Sequence, residues 1–333
     1  MLSYQHVYHA GNHADILKHY VLTFVLSSLN KKDKPYTFFD THSGSGLYDL
    51  TDSRSLKTSE AEIGILRLLK AEEKSADKTG DEASVYSSIH TIPEELNNYL
   101  HFVKQYTDKG FYPGSPEIER SFMRKGDVLV LSELHPQEIE TLRENMEHAF
   151  SAVKKNPDDL THNPEVETPY PAIQIHKRDG WEMLKAMTPP ATKRGAVLID
   201  PSYEEAEDYV KAAETIIKVH KKWSNGIILL WYPLLAHREK EIEKMLASIN
   251  SAVLDLNKNT EIVKLELCVN AKDSYKEMSL EEYRSATSIA SAQALAPRLY
   301  GSGMLVINAP WKLKKEGEKV VEFLTEFLRA RSN

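Results

Sequence analysis

The chain has 333 residues, of which 41% are hydrophobic and 27% charged, a composition typical of a soluble globular protein with a sizeable core. It contains no run of about 18 apolar residues, which argues against a membrane span, and no basic or apolar region of a signal peptide at its start. The single cysteine, Cys268, excludes an internal disulfide framework and favours the reducing cytoplasm.

The formal net charge of −7 argues against a simple nucleic-acid-binding protein, but the charge is unevenly distributed. Residues 59–96 carry nine acids and four bases, and residues 156–168 carry four acids and no base. The rest of the chain therefore has a formal charge of +2. We interpret both acidic segments as solvated surface insertions, which leaves room for a positive groove elsewhere.

The chain is predicted to begin with an amphipathic helix over residues 12–30, capped by Asn12. Two histidines, His9 and His13, have a spacing that suits a metal site on a helix. His9 precedes the helix, however, and no Cys or HExxH pattern supports a metal, so we predict none. We expect one helix end to present a polar pocket lined by Tyr4, His6, Lys18 and His19.

A strand over residues 36–39 runs into the loop Asp-Thr-His-Ser-Gly-Ser-Gly at residues 40–46. A strand, an acid and a G-x-G turn form a nucleotide-type loop, in which Gly44 and Gly46 let a ligand approach the backbone. The third glycine of the dinucleotide signature is absent, since Asp49 takes its place. This disfavours a nicotinamide oxidoreductase and favours another nucleoside-bearing cofactor.

Residues 50–110 break the alternation of strands and helices and predict an inserted helical subdomain. Residues 1–49 then form the start of the main domain, and residues 111–333 form its remainder. The sequence Phe-Tyr-Pro-Gly-Ser-Pro at residues 111–116 predicts a rigid bend. It is either a plain turn or a ligand contact through its backbone and the Ser115 hydroxyl.

Further strands are predicted in the second part of the chain. The strand over residues 127–133 ends at Glu133, which is placed to accept hydrogen bonds from ribose hydroxyls. The strand over residues 172–176 is followed by Asp179-Gly180, which either brackets an adenine ring or begins a helix. Strands at 195–199, 226–233, 261–269 and 303–308 alternate with helices at 204–222, 239–251 and 318–331. This order predicts a doubly wound, mostly parallel α/β sheet, with an antiparallel last strand allowed.

The apolar run at residues 195–199 ends in Asp200-Pro201-Ser202-Tyr203. Ligands of open α/β sheets bind at the carboxyl ends of strands, so this tetrad is expected in a site. The Asp200 carboxylate and the Pro201 carbonyl would accept hydrogen bonds from an exocyclic amino group, and the Tyr203 ring would stack on the base that carries it. The plain alternative is a strand followed by a turn, with Asp200 as a helix cap.

Several of these motifs together resemble the RlmJ family. The resemblance rests on the opening MLSYQHVYHAGNHADILKH, the DTHSGSG loop, YPGSP, SELHP, the Asp179-Gly180 pair, the Asp200 tetrad, WYP and GSGMLVINAPWK. The family methylates the N6 atom of one adenine in 23S ribosomal RNA of the large subunit, with S-adenosylmethionine as the donor. It implies a Rossmann-like methyltransferase domain with a helical insertion, acting on ribosomal RNA without a metal.

The resemblance also implies residue roles. Cofactor contacts fall on His19, His42, Ser115, Glu133, Asp179 and Gly180, beside Gly44 and Gly46 of the loop. Asp200 would meet the target amino group next to the cofactor, and Tyr203 would stack on the base. Substrate handling falls on Tyr4, His6 and Lys18. The family tetrad is D-P-P-Y, and here Ser202 replaces the second proline, which restores an N–H and loosens the turn.

Three other functions fit the same residues less well. A DNA adenine methyltransferase shares the tetrad logic. A protein glutamine methyltransferase usually has Asn first, which Asp200 opposes. An RNA-binding protein that has lost activity is the third, favoured by Ser202 and the acidic surface. No heptads or long exposed apolar stretch appear, so we expect a monomer.

Overall fold

A computed structural model describes residues 4–76, 92–154, 170–270, 272 and 299–329. The acidic segment 156–168, part of segment 59–96 and most of the polar stretch 271–300 lie outside the described residues. The strands are β1 Thr37–Asp40, β2 Leu47–Asp49, β3 Phe111–Pro113, β4 Val128–Glu133, β5 Ala172–Lys177, β6 Gly195–Ile199, β7 Ile227–Leu234, β8 Ile262–Cys268 and β9 Gly301–Ile307.

The helices before β4 are α1 His13–Asn30, α2 Ser53–Thr58, α3 Glu60–Ile63, α4 Ile65–Ala76, α5 Asn97–Thr107 and α6 Ser115–Phe122. Those after it are α7 Pro136–Lys154, α8 Gly180–Met187, α9 Ala206–Lys222, α10 Glu239–Leu256 and α11 Leu313–Leu328. The last helix begins five residues earlier than the sequence predicts. No helix in the described part of the chain is long and apolar enough to span a membrane.

Seven strands form one sheet in the order β5-β4-β1-β6-β7-β9-β8. All neighbours are parallel except β9, which runs antiparallel to β7 and to β8. The expected doubly wound, mostly parallel sheet is confirmed, as is the antiparallel last strand. The strand order reverses between β1 and β6, so the loops after these two strands meet at the switch point where ligands bind.

The two faces of the sheet bury separate cores. One core holds α1, α6 and α11, and the other holds α8, α9 and α10. The prediction that α1 is amphipathic is wrong, because thirteen of its eighteen residues are buried. The sheet and α11 cover one side of α1, while α5 and α6 cover the other. A helix covered on all sides has no solvated stripe.

The described part of residues 50–110 is helical and packs into the same core as α1 through Leu68, Tyr99 and Val103. The division into domains stays a prediction. The segment 111–116 is not a plain turn, because β3 pairs antiparallel with β2 and α6 starts at Ser115. Pro116 lies in the first turn of α6, where the missing N–H costs no hydrogen bond.

Candidate active site

A cleft of about 1070 Å³ opens at the carboxyl ends of β1, β4 and β6. It is larger than most single-ligand pockets, so it has room for a cofactor and a second group. The predicted site residues that line it are Tyr4, His6, Lys18, His19, His42, Gly44, Ser115, Glu133, Asp200 and Pro201. Those that the structure leaves out of the lining are Gly46, Asp179, Gly180 and Tyr203.

Asp15 organises the N-terminal side of the cleft. Its carboxylate is 1% exposed and accepts hydrogen bonds from the Gly11 N–H and from His6 Nε2, both at 2.9 Å. Lys18 Nζ lies 2.9 Å from its other oxygen. Burial alone would raise the pKa of Asp15, but His6, Lys18 and His19 hold it well below its usual value. Asp15 is therefore an anion that fixes the first turn of α1.

Lys18 joins this turn to the strand end that carries Asp200. Its Nζ lies 2.6 Å from Asp200 Oδ2, and the side chain is buried. Burial opposes the charge of Lys18, yet Asp15 and Asp200 raise its pKa well above the usual value. Tyr4 Oη lies 2.8 Å from His6 Nδ1, so a chain of polar contacts runs from Tyr4 through His6, Asp15 and Lys18 to Asp200.

A buried carboxyl pair lies under the loop that follows β1. Asp40 is fully buried and accepts hydrogen bonds from Ser115 Oγ at 2.7 Å and from the His42 N–H at 3.1 Å. Burial raises the pKa of Asp40 to about 6. Burial and the neighbouring Asp40 raise the pKa of Glu119 well above its usual value. Two neighbouring buried carboxyls disfavour a second negative charge.

The glycine loop is tied to β4. Gly44 has φ +58°, and a Cβ there would lie 2.4 Å from Tyr48 Oη, so only glycine fits. The Gly44 N–H donates to Glu133 Oε2 at 2.8 Å, and the His135 N–H donates to Oε1 at 2.6 Å. Glu133 thus holds the loop while its remaining lone pairs face the cleft that it lines. The other glycine of the loop, Gly46, does not line the cleft; its carbonyl accepts a hydrogen bond from the Gly114 N–H.

The structure places Asp179 and Gly180 at the start of α8. Asp179 caps this helix and accepts from the Glu182 N–H at 3.0 Å. A Cβ on Gly180 would lie 2.0 Å from the Thr41 carbonyl oxygen, so glycine lets α8 abut the loop after β1. The helix-start interpretation is confirmed, and a direct cofactor contact stays a prediction. Burial lowers the pKa of nearby His42 to about 4, so its ring is neutral at pH 7.

The tetrad after β6 divides between the cleft and the core. Pro201 is buried and Ser202 exposed, and both line the cleft. Tyr203 has φ +51°, is 4% exposed and donates from Oη to the Trp231 carbonyl at 2.9 Å. Its ring packs 4.6 Å from the ring of Tyr209. Base stacking by Tyr203 therefore stays a prediction that requires the ring to leave the core.

The cap of α9 settles one alternative. Glu205 is the N-cap, and its capping box with Asp208 uses both side chains. The interpretation of Asp200 as the cap of this helix is therefore wrong. Asp200 instead projects at the strand end, where Lys18 binds it.

Sequence reasoning missed three acids that support the site, Asp15, Glu60 and Glu119, and it treated Asp40 only as the acid before the glycine turn. Asp15 could have been found, because it lies three residues before Lys18 and thus on the same helix face. Glu60 accepts from Asn12 Nδ2 at 2.9 Å and contacts His9 Nδ1 at 3.0 Å, which joins α3 to the start of α1. These partners are 48 and 51 positions away from Glu60, and no local sequence pattern predicts contacts at such separations. The sequence therefore contains no signal for the role of Glu60.

One buried histidine offers a polar atom at the wall of the cleft. His19 is fully buried, its Nδ1 contacts Tyr112 Oη at 2.8 Å, and its Nε2 has no hydrogen-bond partner among the described residues. Burial lowers the pKa of His19 to about 3, which keeps the ring neutral. A buried polar atom at a cleft wall needs a partner, and a ligand can supply it. The residues that the structure describes contain no cluster suited to a metal ion.

Comparison with known proteins agrees with the resemblance seen in the sequence. A family model described as "Ribosomal RNA large subunit methyltransferase D, RlmJ" matches residues 33–282. The chain belongs to the RlmJ family. A relative named "Ribosomal RNA large subunit methyltransferase J" from Escherichia coli is 32% identical over 327 residues, which cover 97% of this chain and 93% of the relative. A relative of the same name from Haemophilus influenzae is 32% identical, covering 98% and 94%.

A solved structure supports the fold of this RlmJ-family chain. A crystal structure of a protein from Legionella pneumophila is 28% identical and superposes with a TM-score of 0.69. The match covers 96% of this chain and 94% of that protein. The described sheet and its covering helices therefore belong to a fold that extends over nearly the whole chain.

Proposed function

We propose that the protein transfers a methyl group from S-adenosylmethionine to the N6 atom of an adenine in 23S ribosomal RNA of the large subunit. The observation that carries this proposal is the position of Asp200. It lies at the switch point of the sheet, 2.6 Å from a buried lysine, at the edge of a cleft that can hold a nucleoside. The family and the names of both curated relatives support the ribosomal RNA of the large subunit as substrate.

The cofactor would be held by Glu133, Ser115, His19 and the loop that contains His42 and Gly44. Glu133 offers acceptors to ribose hydroxyls, and the unpartnered Nε2 of His19 offers one polar contact. When bound, the sulfonium supplies an activated methyl group with an excellent leaving group. The protein mainly has to orient the partners, and such positioning supplies about 7–11 kcal/mol in well-oriented systems.

Asp200 and Pro201 are the groups that orient the adenine. Lys18 occupies Asp200 Oδ2, so Oδ1 is the oxygen offered to the amino group, together with the Pro201 carbonyl. Hydrogen bonds from the amino group to these acceptors turn its lone pair out of conjugation with the ring. The Lys18 ammonium, which donates to Oδ2, holds the Asp200 carboxylate in position. Asp200 or solvent then accepts the released proton.

The adenine must leave its stack to reach the cleft, which is cheapest in single-stranded or junction RNA. Tyr203 would then compensate for the lost stacking. Its ring would first have to break the hydrogen bond to the Trp231 carbonyl and move into the cleft. Its left-handed backbone costs on the order of 1–3 kcal/mol in the present conformation.

The test is transfer of label from S-adenosylmethionine to total RNA, with DNA and protein samples in parallel, followed by nucleoside analysis. We expect label in N6-methyladenosine of large-subunit ribosomal RNA. Asp200→Ala should abolish transfer and leave cofactor binding intact, while the exposed control Glu214→Gln should transfer normally. Label in DNA or protein, or normal turnover by Asp200→Ala, would contradict the proposal. We also propose that the protein acts as a monomer in the cytoplasm.

A further inference from the structure

The edge of the sheet opposite the cleft is strongly basic. It is formed by six described segments that adjoin the amino ends of the parallel strands and the end of β9: residues 31–34, 124–127, 193–194, 221–225, 257–261 and 308–315. We call them the amino-edge surface. They contain thirteen lysines and arginines and three acids, a formal charge of +10 in a chain of −7.

The segments form one continuous row. Trp223 Nε1 donates to the Lys193 carbonyl at 3.1 Å, and the Thr37 N–H donates to the Arg194 carbonyl at 3.0 Å. Asn308 Nδ2 donates to the Gly226 carbonyl at 2.7 Å. The Ala309 N–H donates to the Glu261 carbonyl, which adds the start of β8 to the row. These contacts bring residues from distant parts of the sequence onto one face.

Folding explains part of this charge. Arg124 and Arg194 donate to carbonyls at the end of α1, and Asp127 pairs with Arg124. Lys221 and Lys222 in the last turn of α9, and Lys31 just after α1, complement the helix dipoles. These residues would be basic in a protein that bound nothing at this edge.

Folding does not explain the lysines at the start of α11. Lys312, Lys314 and Lys315 are exposed in or beside its first turn, where the helix dipole disfavours positive charge. Glu316, 3.8 Å from Lys312 Nζ, and Glu95, whose pKa Lys315 helps to lower, offset only part of this charge. Three cations at the wrong helix end weaken the fold slightly, so they point to a role outside it.

An exposed tryptophan lies among these lysines. Trp311 is 81% exposed, whereas Trp181 and Trp223 are 8% and 2% exposed. Lys312 Nζ lies 4.8 Å from the centre of the Trp311 ring. An open aromatic face beside cations is the combination that binds bases and phosphates of RNA.

The cleft cannot supply this attraction itself. Its lining contains six carboxylates and only three lysines or arginines, and Lys18 is already paired with two of the acids. Phosphate contacts normally dominate RNA affinity. An enzyme with an acidic cleft and a net charge of −7 therefore needs a cationic surface elsewhere.

We propose that the amino-edge surface is a second RNA-binding surface, which holds phosphates of a structured RNA while the target adenine enters the cleft. The proposal rests on the proposed function. The two edges are separated by the length of the strands, about 25 Å for the eight residues of β7 at roughly 3.3 Å per residue. A folded RNA can span this distance, and a short oligonucleotide in the cleft cannot.

The test compares two triple variants of the full chain. The edge variant is Lys34→Glu/Lys314→Glu/Lys315→Glu, and the control is Lys211→Glu/Lys218→Glu/Lys244→Glu, at exposed lysines on α9 and α10. Affinity for a structured fragment of 23S ribosomal RNA is measured by fluorescence anisotropy as a function of salt. The edge variant should bind about tenfold or more weakly at 0.1 M salt, with a log–log salt slope smaller by about 2–3. The control should bind like the wild type.

Two further readouts separate an edge effect from misfolding. Glutamates in the first turn of α11 complement its dipole, so the thermal midpoint of the edge variant should not fall. RNA should quench tryptophan fluorescence in the wild type, and Trp311→Phe should remove the part that comes from the amino-edge surface, leaving any quenching of Trp231 in the cleft. Equal RNA affinity of the edge and control variants, or a salt slope that does not change, would overturn the proposal.

The outcome is distinguishable from failure of the proposed function. Methylation of a short single-stranded oligonucleotide containing the target adenine should be the same in the wild type and the edge variant, because it uses the cleft alone. Absence of N6-methyladenosine in every RNA would reject the methyltransferase assignment, whereas the binding series alone decides the amino-edge surface. The proposal would also be overturned if the protein bound tightly to protein fractions but not to RNA.

Discussion

Replacing Lys18 by methionine should expose how much the site depends on one buried cation. The substitution keeps the aliphatic stem and removes the charge that bridges Asp15 and Asp200, at 2.9 and 2.6 Å. Removing one partner of a buried ion pair costs about 3–5 kcal/mol. Asp200 keeps some solvent access, with 16% of its side chain exposed, and Asp15 keeps His6 and the Gly11 N–H. We therefore expect a loss of about 3 kcal/mol in the free energy of unfolding at pH 7.

The loss should depend on pH in a defined direction. The folded-state pKa of Asp15 lies well below its ordinary value of 3.8. A carboxyl with a depressed pKa stabilises the fold above its unfolded pKa, and this contribution disappears as the pH falls. Lys18 supplies part of the depression. The difference between wild type and Lys18→Met should therefore be largest near neutral pH and shrink below about pH 4.

Urea unfolding followed by tryptophan fluorescence at pH 7 and at about pH 2 measures both effects. The exposed Lys240→Met is the matched control and should change the free energy of unfolding by less than about 0.5 kcal/mol. In Lys18→Met/Asp200→Asn the combined loss should be smaller than the sum of the single losses, because the two side chains contact each other. A loss below about 1 kcal/mol, or one that is equal at both pH values, would refute the role assigned to Lys18.

Three further predictions concern the buried carboxyls under the loop after β1, the start of α8 and the tetrad. In the wild type, the raised pKa values of Asp40 and Glu119 mean that their stabilising effect is greatest at low pH. For Asp40 this effect is lost as the pH rises from 3.8 towards about 6. Glu119→Gln should therefore raise the free energy of unfolding at pH 8, on the order of 1–3 kcal/mol, and flatten its pH dependence. Unchanged urea profiles would contradict the raised pKa of Glu119. Gly180→Ala should lower both the thermal midpoint and the affinity for S-adenosylmethionine, because the new Cβ would lie 2.0 Å from the Thr41 carbonyl oxygen. The control Ala172→Gly, at an exposed strand position, should leave this affinity unchanged. Ser202→Pro should methylate RNA at least as fast as the wild type, since proline only restricts Pro201 to the extended backbone expected at this turn; a large loss of rate would show that the Ser202 N–H is needed.

The strands and the position of the tetrad could be predicted from local sequence. Apolar runs such as residues 195–199 are buried on both faces, so their period and their ends are visible without any partner. Asp200 and Glu133 follow such runs and lie at the carboxyl edge, as expected. The short β2–β3 pair was missed because its two strands are separated by the whole helical insertion.

What only the tertiary structure decided is which distant groups meet. The sheet order places residues 18 and 200 in contact although 182 positions separate them, and burial among Tyr209 and Trp231 takes Tyr203 out of the cleft. The amino-edge surface has the same origin, since its charges are scattered along the sequence as ordinary loop residues. The sequence by itself determined the fold class, the family and the chemistry at the strand ends, because these depend on local pattern. The ion network, the core position of Tyr203 and the basic edge depend on strand order, which local pattern does not contain.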